Sequence, residues 1–415
     1  MDLVLTEEQV MIRDSAAEVL AQQSASADVR RAIERHAGYD AVLWQTVAAE
    51  LGWCGLSVPE HAGGAGLGAT ELVLLLEQLG ARLACVPYFG TAVLAAQALA
   101  RCSGESNEAD ADEGSEEAVR WLARIAAGET RAALAIGAPF DDAGERVASG
   151  VEAHETPEGF RLSGTLAAVL DGVMADLLLV PARLADGNSS GEIALFAVET
   201  AQTGVARTPL ATLDTTRAIA GIALDNVRVA PAACLARSVV ARRALTETAW
   251  LAALALAAEQ LGGAQQCLDL TLAYTAERVQ FGRAIASFQA VKHRCAEMLV
   301  AVEAARSVVF GAAAAWDAAQ GVPTAAQYAD IAVAKASAND AFRFCAQEAI
   351  QLHGGVGFTW EYDPQLYFKR AQASGALFGS TSQLYGWLAG HVIDGASSHA
   401  VAEHTSAAVL AGANA

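Results

Sequence analysis

The stretch from Arg278 to Gln289 reads Arg-Val-Gln-Phe-Gly-Arg-Ala-Ile-Ala-Ser-Phe-Gln and gathers cation, aromatic, glycine and amide. The planar guanidinium of Arg278 presents a fixed fork of donors that matches phosphate oxygens. Phe281 supplies a flat face for a planar ring, and the Gln289 amide can both donate and accept at a polar edge. Together these types suit a ligand that carries both phosphate and a ring. The same residues also fit a plainer reading, an exposed helix end followed by a core aromatic, and residue types alone leave both open.

Two long helical patterns must hold this stretch in place. One runs from near Ser238 to Arg278; the next starts after a possible cap at Ser287 and continues to Gln320, where Gly321-Val-Pro323 stops it. A third begins at a Thr324-Ala-Ala-Gln327 capping box and ends at Gly354-Gly355, and a fourth covers roughly Asp363 to Ile393. Four antiparallel patterns with short connections predict a bundle over residues 235–395, with a small, polar tail at 396–415 expected to be mobile. Upstream, residues 131–234 change texture. Short apolar runs such as Leu177-Leu-Leu-Val180 and Ile193-Ala-Leu-Phe-Ala-Val198 alternate with turn formers such as Thr156-Pro-Glu-Gly159, which predicts a compact β domain. Residues 1–130 read as helical. Thr6 can cap with Gln9 returning the bond, and further helices are expected near Tyr39–Leu51, Thr70–Leu83 and Thr91–Ala100. The acid-rich run from Cys102 to Glu117 reads as a solvated insertion, with an acidic interaction loop as the alternative. The fold class is therefore mainly α with a central β domain.

Composition narrows the function. More than half of the 415 residues are hydrophobic, enough for a large core. A formal charge of -20 argues against nucleic acid and requires any anionic cofactor to find a local basic patch. The seven cysteines are scattered and odd in number, which suits reduced thiols in the cytoplasm, and no ligand cluster suggests a metal. No stretch reads as long and apolar enough to span a bilayer; the greasiest, Leu251 to Ala258, is bracketed by Glu247 and Glu259. No secretory signal is expected at the N-terminus.

Four segments, in order, carry a family resemblance: Leu51-Gly-Trp-Cys-Gly-Leu-Ser-Val-Pro59 before a glycine-rich turn, Leu224-Asp-Asn-Val-Arg-Val-Ala-Pro231, Glu277 to Gln289, and Gln351-Leu-His-Gly-Gly-Val-Gly-Phe358. With the order helical domain, β domain, four-helix bundle, the chain resembles the acyl-CoA dehydrogenase family over about residues 2 to 392. The resemblance implies the family fold with a β-barrel-like middle domain, FAD as cofactor, acyl-CoA thioesters as substrates and electron-transfer flavoprotein as acceptor. In such proteins the pyrophosphate and adenosine half of the flavin is held by a neighbouring subunit. The matching residues here are Arg278, Phe281, Gln289, Gln351, Gly354 and Gly355. Taken alone, Gly354-Gly355 would equally be a helix stop.

The other half of the family's site is altered. Where relatives carry a Trp-x-Thr triplet against the flavin ring, this chain aligns Ala168-Val169-Leu170, after an expected turn at Ser163-Gly164; an earlier threonine falls near Ala135 or Ile136. The reaction removes a proton α to the thioester while hydride leaves the β carbon, so a carboxylate with a raised pKa is needed. The usual glutamate position falls on Phe378 or Gly379, and a second family position for it falls near Ala252. The arginine that relatives commonly carry on this helix is replaced near Ala253. Glu247 and Glu259 lie one and two turns from Ala252 and are candidates for a displaced base. Their plainer readings are a helix-dipole partner and a packing residue.

These features resemble the incomplete subunit of a heteromeric acyl-CoA dehydrogenase, such as the α2β2 assemblies acting on steroid side chains. This chain is expected to complete the FAD site of a homologous partner. The alternatives are a self-sufficient homo-oligomer, dimer or tetramer, using Glu247 or Glu259, and a structural relative without flavin.

Overall fold

Thr6 opens the first helix as its sequence dictates: the Thr6 hydroxyl accepts from the Gln9 N–H at 3.2 Å, and the Gln9 side chain accepts from the Thr6 N–H at 3.0 Å. The computed structural model describes residues 4–103, 113–139, 150–185, 191–319 and 322–393. It begins with α1 (Glu7–Gln23) and α2 (Ser26–His36). No helix is expected from the sequence at α2, because among its described side chains only Val29 and Ala32 are buried and most of the others are polar. Asp40 accepts from the Val42 and Leu43 N–H groups to start α3 (Ala41–Gln45), which runs on as a π-helical turn to Glu50. The single helix expected at Tyr39–Leu51 is thus two conformations in series. Next come α4 (Ala69–Ala81), a π turn at Phe89–Ala95 leading into α5 (Ala96–Cys102), and α6 (Glu113–Ala126). The acidic run lies largely outside the described residues, but its last part, from Glu113, is the first turn of α6 and not an insertion. The C-terminal tail also lies outside them.

Strands fill the middle: β1 (Ala132–Leu134), β2 (Val151–Thr156), β3 (Gly159–Leu170), β4 (Leu177–Leu184), β5 (Ile193–Glu199), β6 (Val205–Pro209), β7 (Ile219–Val229) and β8 (Cys234–Arg237). They form an eight-stranded sheet in the order β6-β7-β3-β2-β4-β5-β8, with β1 parallel to β4. The continuous apolar run of β4 follows from burial on both faces. Leu177 and Leu179 join the helical core, while Leu178 and Val180 join the core of the strands themselves.

Ser163-Gly164 is not the expected turn. β3 runs straight through it, with a register shift against β7 between Leu162 and Gly164. Glycine is required there: φ is +146°, and a Cβ would lie 2.1 Å from the Gly150 carbonyl oxygen. A second shift, between Leu166 and Val169, frees Ala167 and Ala168 from the ladder. Such a bulge re-aims side chains.

The remaining helices are α7 (Ser238–Glu277), α8 (Gln289–Ala318), α9 (Ala325–His353), α10 (Pro364–Ser374) and α11 (Thr381–Ile393), with a two-stranded hairpin, β9 (Val279–Gln280) and β10 (Arg283–Ala284), between α7 and α8. Three expectations are corrected here. Ser287 does not cap α8: its hydroxyl donates to the Ala284 carbonyl at 2.7 Å, and Phe288 stands at the N-cap without a side-chain bond. The expected fourth helix is two, because Phe378 (φ +53°) and Gly379 (φ +114°) are left-handed and Ser380 starts a new capping box with Gln383.

Third, α8 is long and apolar enough to cross a bilayer by length and composition, so the expectation that no stretch qualifies was too strict. Its buried positions, Met298, Val302, Ala305, Val309 and Ala312, nevertheless recur at helical spacing in the shared core. Arg306 reaches across to pair with Glu77 of α4, so α8 serves as a bundle helix.

One buried ionic cluster ties these regions. Arg370 of α10 pairs with Asp214 at 2.5 Å and with Glu259 of α7, and Arg217 pairs with Glu259 at 2.5 Å. Asp214 and Arg217 belong to the β6–β7 connection, so one cluster joins the β domain to two bundle helices. Arg370→Met would leave buried Asp214 without a cation and Glu259 with Arg217 alone, and should lower unfolding free energy by about 3–5 kcal/mol. Urea unfolding measures this, and a loss under about 1 kcal/mol would contradict the assignment.

Candidate functional site

At the end of α7 the Arg278 N–H donates to the Tyr274 carbonyl, and the Ile285 N–H donates to the Arg278 carbonyl, both at 2.9 Å. This closes the β9–β10 hairpin. Phe281 (φ +53°) and Gly282 (φ +78°) supply the two left-handed residues that a tight hairpin of this twist requires. Phe281 is 92% exposed; its ring meets Phe288 edge-on at 6.0 Å, and the Arg283 guanidinium lies 4.1 Å from the Phe288 ring centre. Phe281 is therefore no core aromatic. Arg278 and Gln289 are exposed beside it.

Gln351, Gly354 and Gly355 are exposed at the end of α9. Gly354 takes φ +67°, and neither glycine has a heavy atom within 4 Å of where a Cβ would stand, so a ligand could approach the backbone. The two groups flank one contact. Tyr274, a turn before Arg278, stacks on His353, the residue before Gly354, with ring centres 4.3 Å apart. All six residues singled out by sequence thus lie at one end of the bundle. Among the described residues Arg278 has no ion pair, which leaves its fork free for an anion.

The other predicted positions converge elsewhere. Ala168, Leu170 and Phe378 line one cleft of about 240 Å³ with Leu94, Leu134, Ile136, Gly137, Ala138, Ala376 and Leu377. No side chain in that lining carries a carboxylate, hydroxyl or amide. Phe378 is buried with its ring 5.9 Å from that of Phe89, and the Gly379 carbonyl accepts from Asn339 at 3.2 Å. Ala135 belongs to the strand core, so of the two threonine positions Ile136 is the one facing the cleft. Ala252 and Ala253 are fully buried.

Neither glutamate candidate lines the cleft. Glu247 pairs with Arg101 at 3.0 Å and lies well inside α7, so it is neither a helix-start dipole partner nor a free base. Burial pushes the Glu259 carboxyl up, but Arg217 and Arg370 together outweigh burial and hold it below its ordinary range. A base that must be poised near neutrality is the opposite case.

Two groups near the cleft escaped the sequence reading. Asp171, directly after Leu170, is buried with φ +58° and accepts from the Gly90 N–H at 2.8 Å. Burial raises its pKa to about 6 against the opposing pull of Arg217. Lys335 is fully buried, bonded to Asn339, and burial lowers its pKa to about 7. An Asp in a strand end and a Lys among helix-surface types carry no signal of burial; only the shared packing reveals them.

The helical N-terminal region, central sheet and helical C-terminal region give the chain the acyl-CoA dehydrogenase fold. The chain belongs to the acyl-CoA dehydrogenase family: the N-terminal domain model of that family matches residues 6–129 and the C-terminal domain model matches residues 227–390. It is 31% identical over 379 residues to acyl-CoA dehydrogenase IpdE2 of Mycobacterium tuberculosis, covering 91% of this chain and 95% of that one. It is 34% identical to acyl-CoA dehydrogenase FadE27 of the same organism, covering 83% and 87%. Among solved structures, a chain of the ChsE4-ChsE5 complex from Mycobacterium tuberculosis superposes with a TM-score of 0.79 at 29% identity, covering 94% of this chain and 98% of that one. A steroid acyl-CoA dehydrogenase variant, Tcur3481-Tcur3483, superposes at 0.76 and 29%, covering 94% and 99%. This chain therefore has homologues among heteromeric members of its family.

The Asp171 pKa gives a signed prediction. Its folded value lies above the ordinary 3.9 or so, so its stability contribution is present below that value and lost as pH rises through about 6. Asp171→Asn should raise stability at pH 8 by on the order of 2 kcal/mol and leave it nearly unchanged at pH 4. Thermal unfolding at both pH values tests this, and a gain of equal size at pH 4 would contradict it.

Proposed function

We propose that this chain is the subunit of an FAD-dependent, heteromeric acyl-CoA dehydrogenase that lacks the catalytic base and completes the flavin site of a homologous, base-bearing partner. The observation that carries this reading is the contrast between the two half-sites. The exposed end of the bundle offers Arg278, without an ion pair among the described residues, an open Phe281 ring and an uncovered Gly354-Gly355 backbone. Those groups fit the pyrophosphate and adenosine half of FAD. Among the described residues, the cleft that would take the reactive ring offers only apolar side chains, without a hydroxyl to hydrogen-bond the ring or a carboxylate to take the substrate proton.

When bound, FAD supplies the hydride acceptor; the reaction then desaturates an acyl-CoA thioester, with electron-transfer flavoprotein as the onward acceptor. This chain's part is to bind and orient. Arg278 would hold the pyrophosphate, Phe281 would offer its face to the planar base, Gln289 and Gln351 would meet polar edges, and the glycine pair would admit close approach. Apolar positions Leu299 and Val300 of α8, 48% and 69% exposed, suit coverage by a second subunit. The ion pairs at Glu247 and Glu259 argue against the self-sufficient reading.

Expressed alone, the chain should be colourless; coexpressed with a homologous chain bearing the glutamate, it should yield a yellow complex bleached by its acyl-CoA substrate. Arg278→Ala should weaken FAD binding by the complex roughly 30-fold, as loss of a charge-assisted phosphate contact implies. Glu247→Gln and Glu259→Gln should leave the turnover of folded complex within about twofold. Loss of turnover with FAD retained in either glutamine variant would restore the self-sufficient reading.

A further inference from the structure

The segment Gly354 to Asp363, which carries the glycine pair of the half-site, is held at both of its ends. At the first, His353 is bonded through Nδ1 to the Ala349 carbonyl at 2.6 Å and lies flat on Tyr274; Tyr362 closes the same cluster edge-on, 6.0 Å from Tyr274 and 6.2 Å from His353. At the second end a different part of the chain intervenes. The Ser26 hydroxyl and the Arg30 guanidinium of α2 both donate to Asp363 Oδ1 at 2.6 Å, and Arg30 also donates to the Trp360 carbonyl. Arg30 Nε further donates to Ser26 Oγ at 3.2 Å, so the two α2 residues act as one unit.

The position of Asp363 sharpens the point. It stands at the N-cap of α10, where an aspartate normally accepts from its own helix's N–H groups, yet it makes no such bond. Its carboxylate is turned to α2 instead. A segment rich in glycine loses much conformational freedom when it orders around a ligand, and fixing both ends beforehand removes part of that cost.

Resting on the function proposed above, we infer that Arg30, seated by Ser26, is a positioning residue for the cofactor half-site: through Asp363 and the Trp360 carbonyl it clamps the Gly354–Asp363 segment against the N-terminal helices. Arg30 and Asp363 are each 24% exposed. An ion pair that meets solvent contributes little to global stability, so its loss should register in cofactor binding more than in folding.

The test uses the full chain coexpressed with a base-bearing homologous chain, and FAD affinity read by quenching of flavin fluorescence. Arg30→Ala and Asp363→Ala should each weaken FAD binding roughly tenfold, and the double variant no more than either single, since both remove one coupled contact. Arg131→Ala breaks an ion pair of similar type, Arg131–Asp176 at 2.7 Å, in the β domain, and should leave FAD affinity unchanged. Equal losses from Arg131→Ala and Arg30→Ala would overturn the clamp by showing general destabilisation. Wild-type FAD affinity in Arg30→Ala, with affinity lost in Arg278→Ala, would overturn the clamp and leave the proposed function standing. Unchanged affinity in both Arg30→Ala and Arg278→Ala would overturn both.

Discussion

A carboxylate taken out of water persists only where opposite charge and hydrogen bonds replace its hydration. Glu259 is 6% exposed and meets that condition with two guanidiniums, Arg217 and Arg370, of which Arg370 also holds Asp214. Much else in the molecule depends on this cluster. It fixes the β6–β7 connection against α7 and α10, and α10 leads directly into the left-handed break at Phe378 and Gly379. Phe378 packs against Phe89, whose ring lies 5.1 Å from the Arg217 guanidinium, so the charged cluster and the apolar cleft share one wall. Glu259 is thereby committed to architecture, and an acid so committed is not available to accept a proton from a substrate.

The two ends of the molecule are built on opposite principles. The cleft is lined by apolar side chains, and the bulge in β3 brings the Ala168 methyl group to it. At the α7–α8 hairpin, side chains are exposed and the backbone is uncovered, in left-handed conformations that a folded chain retains where something constrains or uses them. The proposed function accounts for both ends, because mixed assemblies of related subunits keep approximate two-fold symmetry with half as many reaction centres.

Much of this was legible in the sequence, for identifiable reasons. Capping boxes at Thr6 and Thr324, the apolar run of β4 and the long periodic patterns of α7 to α9 each carry a local signal, and each forms the element it suggests. The six candidate residues come together at one end of the bundle because their contiguous motifs close α7, open α8 and end α9. What escaped was decided by distant contacts. The polar helix α2 is held by Asp363, more than three hundred residues away. Gly164 passes for a turn until the Gly150 carbonyl is set against it, and Ser380-x-x-Gln383 caps a helix that the continuous apolar pattern hides. Asp171 and Lys335 look like surface residues until packing buries them.

The central claim is that this chain lends half a flavin site and does not use one itself. The most direct measurement is the flavin-to-protein ratio of the purified complex with its base-bearing partner, with each subunit quantified separately. One FAD per pair of chains is the predicted result. One FAD per chain, with both flavins bleached by the acyl-CoA substrate, would contradict the account.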